Sequence, residues 1–535
     1  MADKYTKEEL NNCSKEMLIT LLLNMQDQMD KMNQNMEHLI ELLASSNNKL
    51  YGRSTEKLSA IEGQMDLSEF LNEAEYHVGD EEDPPEPPAE EVIVVRKKKK
   101  GKREADLKDL PVEVIKHYLS EDELRSAFGN KWKQLPDEVY KRVKYEPAKY
   151  TVEEHHVGVY AGTDNETIIK ADRPVSLFRN SIATPSLVSS IIDAKYVYSI
   201  PIYRKATEYK SIGLNISTQN MSNWVMKAAD EYLYMVYDMM HAALYKYHVL
   251  QADETPVKVS KDGRPANSKS YMWVYRTGKM YAPPIILYEY QPNRKANHPE
   301  EFLKGFEGVL VCDGYQAYHK LGNENKGIKI AGCWAHARRR FAEAIKAIPS
   351  KSKNSVKDTI AHKALTKIAD IYNTDNKLLL LSIEERKKER QLKVKPKVDD
   401  FFEWIKEVRE SGVLPEKSKT TSGIDYCINQ EQYLRYFLKD GAVPLDNNST
   451  EGAIRTFCIG KHNWKLIDTI NGAESSAILY SIAETAKANN LNTFRYFEHL
   501  LTELPKHQDE TDYRFINDLL PWSDKLPEIC KIPSK

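Results

Sequence analysis

The chain contains no run of apolar residues approaching the roughly 18 that a helical membrane span requires, so no membrane-embedded segment is expected. Its opening residues, MADKYTKEELNNC, hold no apolar signal core, and the expected compartment is the cytoplasm. Cysteine is scarce. The six residues Cys13, Cys312, Cys333, Cys427, Cys458 and Cys530 are scattered and form no Cys-x-x-Cys pair. That argues against a disulfide scaffold or a self-contained zinc finger and suits free thiols in a reducing compartment. Net charge is nearly absent too, with 77 Lys and Arg against 79 Asp and Glu. The balance would argue against a nucleic-acid partner, but distribution matters more than the sum. Residues 80–91 (DEEDPPEPPAEE) are acidic, and 96–103 (RKKKKGKR) are almost wholly basic.

What is present includes a hydrophobic content of 41% with 31 tyrosines, enough for real cores and against a largely disordered chain. The length implies several domains. Leu18, Leu22, Met25, Met29, Met32, Met36, Leu39 and Leu43 follow a 4-3-4-3 spacing without Pro or Gly. That is the a/d seam of a coiled coil, and self-association into a homo-oligomer is expected from it. Leu50–Ser59 (LYGRSTEKLS) closes this first segment, 1–60. The acidic, Pro-rich and then basic stretch 75–105 cannot pack a core and reads as a linker. Its Lys97, Lys98, Lys99 and Lys100 form either a solvated tether or an arm along DNA phosphates.

Residues 106–180 form a small mixed region in which Tyr150–Gly162 (YTVEEHHVGVYAG) reads as a strand. His155 and His156 have no cysteine or second histidine pair nearby, so they read as structural rather than metal-binding. Residues 181–240 look helical. Pro185 starts one helix, a second ends at Gly213, and Ser217 caps a third. Helix, Gly-containing turn, capped helix is a helix-turn-helix layout, though one common in all-helical domains as well.

From 245 to 345 three strand-like runs, a short helix, a strand ending at Asp313, and a strand feeding a basic helix follow one another. That is the element order of an RNase H-like sheet. Residues 346–440 read as a helical insertion, 441–505 as the second part of the core, and 506–535 as a C-terminal tail. Asn490 stands where a left-handed cap would end the long helix of 474–490. The expected fold is therefore multidomain α+β: a coiled-coil helix, a small mixed domain, a helix-turn-helix-like region, and an α/β core interrupted by helices.

Phosphodiester chemistry needs two divalent cations about 4 Å apart more than it needs covalent help. Hard cations take carboxylate oxygens. Asp253 and Asp313, each expected at a strand end, and Glu451, at the start of a later helix, can supply them; 79 acidic residues make spacing alone a weak argument. Glu254 points to the opposite strand face and is not expected to be a ligand. The flanking motifs carry more. QADETPVKV, VCDGYQAY, GCWAHARRRF, LDNNSTEGAIR and GAESSAILYSIAETAKANNLN, in this order, closely resemble the large transposase of insertion-sequence family 66. The resemblance extends to LYGRSTEKLS, EPAKYTVEEHH and SIPIYRKATEYKSIGLNISTQNMSNWV, and covers about residues 15–500.

That resemblance implies an acidic-triad DNA transposase, with Asp253, Asp313 and Glu451 as ligands of two Mg²⁺ (or Mn²⁺) ions. The implied partners are double-stranded DNA, as terminal inverted repeats and target, and small accessory proteins of the element; such a protein would be found with the nucleoid. Two readings compete with it: a catalytically silent DNA-binding derivative, and an RNase H-like nuclease of other substrates. Arg338, Arg339, Arg340 and Arg455 are candidate DNA contacts, the last also a candidate to orient Glu451. Cys333 and His336 form a Cys-x-x-His pair beside the site, similar to one in other transposase groups such as Mutator. As a zinc site it is half complete. The cysteine-rich module common in relatives has no cysteine here between 106 and 180, so no zinc is expected. The family's usual Glu-Arg is here Glu451-Gly452, which removes a candidate phosphate contact but not the ligand.

Overall fold

In the computed structural model the described residues are 150–533, apart from 162–167, 173, 266–267, 279, 348–355, 357–358, 509 and 511, with 122, 125 and 126 upstream. The expected coiled coil, the LYGRSTEKLS motif, the linker and Lys97–Lys100 lie outside them. Two compact units are distinguished, and the boundary between them falls at Val175/Ser176. In the smaller unit, β1 (Val159–Ala161) and β2 (Ile168–Lys170) form an antiparallel hairpin. The strand expected over 150–162 is thus confined to its last residues. His155 and His156 precede it, exposed and paired only with the neighbouring Glu153 and Glu154.

The larger unit is a mixed α/β assembly. It opens with α1 (Pro185–Ile192), α2 (Ile202–Ser211), α3 (Thr218–Ala228) and α4 (Tyr234–Leu244). Local chemistry sets their ends. Thr184 caps α1, with Pro185 in the first turn; Gly213 takes φ +86° after α2; and the Ser217 hydroxyl accepts from Asn220 N to start α3. The sheet follows: β3 (Val249–Val257), β5 (Ser270–Thr277), β6 (Ile286–Gln291), β7 (Gly308–Cys312) and β8 (Ile328–Gly332). Its spatial order is β6-β5-β3-β7-β8. β5 runs antiparallel to both β3 and β6, while β3, β7 and β8 are mutually parallel. A small separate ladder pairs β4 (Val259–Lys261) with β9 (Ile467–Thr469).

Alternation along the strands sends the two sheet faces to different layers. On one face Trp273 and Tyr275 meet α4, α5 (Asn297–Phe302) and α6 (Gln316–Glu324); Tyr275 stacks on Phe302 at 3.8 Å, and Trp273 meets Tyr318 edge-on. The other face is covered by α7 (Trp334–Lys346), α13 (Asn448–Trp464) and α14 (Ile470–Ala488). The insertion supplies α8 (Ile360–Asn376), α9 (Ile383–Glu389), α10 (Lys395–Glu410), α11 (Lys419–Asn429) and α12 (Glu431–Leu434). Its core is continuous with the sheet, since Val249, Val309 and Val311 share one buried cluster with Trp334, Ile368, Phe401, Phe402 and Ile424. Buried Arg390 fixes the return path. It pairs with Asp375 (2.6 Å) and reaches the carbonyls of Phe437, Asp440 and Val443, just before α13 begins.

The chain ends with α15 (Thr493–Glu503) and α16 (Ile516–Leu519). Residues expected as a tail instead pack back: Tyr496 donates to Leu519 O, and Leu491 bridges to Lys531. Residues 181–240 belong to the same unit as the sheet. Among the described residues no helix is long and apolar enough to cross a membrane.

Candidate active site

Gln251 on β3 pairs with Val311 on β7, and both strands advance in parallel, so Asp253 and Asp313 stand two residues further at the same level. The expectation that Asp253 ends its strand needs correction. It lies mid-strand, because β5 continues to pair with β3 through Val257 after β7 has stopped at Cys312. The site is therefore the notch left where β7 ends beside a longer neighbour. Asp253 faces α13, as do Gln251, bonded to Asp446 O, and Thr255, beside Cys458. Asn447 Nδ2 donates to Ala252 O (2.8 Å) and its Oδ1 accepts from Thr450, which anchors the start of α13 on β3. Glu451, in the first turn, is 3% exposed.

The neighbours also act on the charge of Asp253. Burial pushes the Asp253 carboxyl well above the usual carboxylate range; the Glu254 and Asp313 charges push it the same way, His336 opposes them, and Glu451 adds to them. Carboxylates crowded together in a buried setting raise one another's pKa. Glu254 turns to the other face, as expected from strand alternation, but it is not idle there. Its buried carboxyl is held by Arg294 and accepts from Tyr318 (2.7 Å), and burial with the Asp313 charge pushes it up to about 7. Arg294 also lies 3.9 Å from Asp313 and stacks on the Tyr315 ring at 3.8 Å.

The three arginines of α7 all have work inside the protein. Arg339 donates from one terminal nitrogen, Nη2, to both oxygens of Glu451 (3.0 and 2.9 Å), a charge-assisted tie. Arg340 stacks on Tyr426 at 4.4 Å, and Arg338 is half-buried near Tyr372 and Asp446. Arg455 lies on the exposed side of α13. Neither the tie between Arg339 and Glu451 nor the role of Arg294 was visible in sequence, because each spans elements far apart in the chain. Gly452 is exposed, and a Cβ there would meet nothing within 4 Å. Cys333 stands at the N-cap position of α7, without a capping side-chain bond, and His336 sits at the helix's third position. Together with Glu451 they are the group of three potential metal-ligand residues found among the described residues, with donor atoms all within 4.8 Å of one another.

Residues 180–475 match the family described as transposase IS66 family. Residues 481–522 match the IS66 C-terminal element, and 38–115 match "Transposase C of IS166 homeodomain". These matches define a transposase. The chain belongs to the IS66 transposase family. Similar proteins from Sinorhizobium fredii include "Uncharacterized protein y4hP", 27% identical over 74% of this chain and 72% of its own length. Another is "Uncharacterized protein y4qI", 28% identical over 72% and 70%.

Proposed function

We propose that the chain cleaves and joins DNA at the ends of its insertion sequence, with Asp253, Asp313 and Glu451 as the metal-binding acids of an RNase H-like core. The observation that supports this reading is the level placement of Asp253 and Asp313 on adjacent parallel strands, with Glu451, in the first turn of α13, near enough to Asp253 for its charge to raise that carboxyl's pKa. The sheet order β6-β5-β3-β7-β8, with a single antiparallel member, supports the RNase H-like reading.

These acids would hold divalent cations such as Mg²⁺, which when bound polarise the phosphate and lower the pKa of an attacking water or hydroxyl. The chain's own residues prepare that chemistry. Arg339 orients Glu451, Asn447 fixes the helix that carries it, and Arg294 keeps Glu254 and Asp313 from repelling each other unchecked. Recognition of the ends falls to α3, whose exposed side presents Gln219, Asn220, Asn223 and Lys227. Amide side chains of this kind read adenine edges in the major groove, and lysine meets phosphate. The Met/Leu seam of residues 18–43 would bring two copies, and so two ends, together.

The test is cleavage and strand transfer on DNA carrying the element's ends, with Mg²⁺ supplied. Asp253→Asn should reduce both to background while leaving end-binding intact. Full strand transfer by Asp253→Asn would refute the assignment. Binding without cleavage by the unaltered chain would favour a silent DNA-binding derivative.

A further inference from the structure

We infer that Cys333, His336 and Glu451 form a second cation site, one for a borderline-soft ion such as Zn²⁺, and that filling it withdraws Glu451 from the hard-cation site. The competition rests on the functional reading above; the binding does not.

The geometry begins with the turn before α7. A residue at a helix N-cap and the residue three positions on project side by side, as in a capping box. Here those residues are Cys333 and His336. Spacing alone left the pair with two donors, and no zinc was expected there. The fold adds a third by bringing the first turn of α13 against the first turn of α7. His336 Nδ1 lies 3.8 Å from Glu451 Oε1, and the three donor atoms lie within 4.8 Å of one another. Zinc binds sulfur at about 2.3 Å and nitrogen or oxygen at about 2.0–2.2 Å, so tetrahedral donors on one ion stand about 3.3–3.7 Å apart. Side-chain movements of about 1 Å or less therefore close the site.

The donor types matter as much as the distances. Asp253 and Asp313 offer oxygen alone, which suits Mg²⁺, whereas thiolate with imidazole and one carboxylate suits zinc and leaves a fourth position open. Cys333 is fully buried and accepts a bond from Asn447 N (3.2 Å), a contact that also orients a bound thiolate. His336 is at the edge, its side chain 13% exposed, which gives an ion a way in. Arg339 can keep one Glu451 oxygen while the ion takes the other.

Co²⁺, a spectroscopic stand-in for Zn²⁺, titrated into the purified full-length chain without Mg²⁺ should give a near-ultraviolet thiolate-to-cobalt absorption at one equivalent. Cys333→Ser should abolish that band and His336→Gln should weaken Co²⁺ binding at least tenfold; the second variant carries the test if the first melts early. A band that persists in Cys333→Ser, or no thiolate band at all, overturns the site. Stoichiometric Zn²⁺ should also inhibit Mg²⁺-dependent cleavage by the unaltered chain and inhibit His336→Gln less. Equal inhibition of both overturns the competition. If the unaltered chain binds Co²⁺ through Cys333 yet cleaves nothing, the site stands and the proposed function falls.

Discussion

At the scale of single residues, buried carboxyls govern how this protein should respond to pH. Glu289 on β6 is directly across from Trp273, and burial pushes its carboxyl up to about 8, with the hydrogen bond from Gln291 offsetting only part. In the unfolded chain it titrates near 4.5. Between those values the folded protein holds a proton that the unfolded chain has released, so stability falls as pH rises. The slope is at most about 1.4 kcal/mol per pH unit. Above about 8 both states are ionised and the loss levels off. Glu289→Gln removes this titration. Its melting temperature should gain on the unaltered protein's steadily from pH 5 to pH 8, then run parallel; a constant offset across that range would show that Glu289 titrates normally. Residues of this kind mark the limit of sequence reading. Asp253, Asp313 and Glu451 stood out through the motifs around them, whereas Glu289 and Arg339 have no motif, and their roles follow from what other elements place beside them.

At the scale of elements, the sheet must end somewhere, and among the described residues β6 is an edge whose outer backbone groups have no strand partner. An edge left open invites pairing with another chain. Here α14 closes it with side chains. Ser481 Oγ accepts from Tyr288 N (2.7 Å), and Thr485 Oγ1 accepts from Ile286 N (3.0 Å) while donating to Ile286 O (2.8 Å). Both side chains are fully buried. The helix itself was legible, down to Asn490 at φ +61° just beyond its end. Its orientation was not, since hydroxyls one turn apart read as a solvent face rather than as a seam against a strand. Ser481→Ala combined with Thr485→Val strips partners from buried backbone groups, at about 1–3 kcal/mol for each group left unsatisfied. The urea midpoint should fall accordingly, and light scattering on refolding should rise. A midpoint within about 0.5 kcal/mol of the unaltered protein, the range of an ordinary surface change, would mean that the edge is protected by other means.

At the scale of the whole molecule, the capping and turn signals in 181–240 marked its helices but not what packs against them. The structure ties this segment to the chain's last helices. Tyr196 meets Tyr480 edge-on at 5.0 Å, Thr493 donates to Asp193 (2.5 Å), and Asn463 donates to Ser199 O (2.9 Å). Tyr232 donates to Leu177 O and receives Gln508 on its hydroxyl. The segment that carries the proposed DNA-reading helix is thus held by the same elements, α13 and α14, that carry Glu451 and close the sheet edge. Binding and catalysis then share one folding unit. Two shortened chains test this. One beginning at Ser176 should be soluble, with a near-ultraviolet circular dichroism signal from buried Trp273 and Trp334 and one cooperative melt. One beginning at Lys246, which keeps the whole sheet but strips α1–α4 from Tyr480 and its neighbours, should aggregate or lose that signal, because the uncovered apolar side of α14 has nothing else to pack against. If the shorter chain folded as stably as the longer, the helices at 181–240 would be a separable module after all, and the coupling between end recognition and the acidic notch would need a different physical basis.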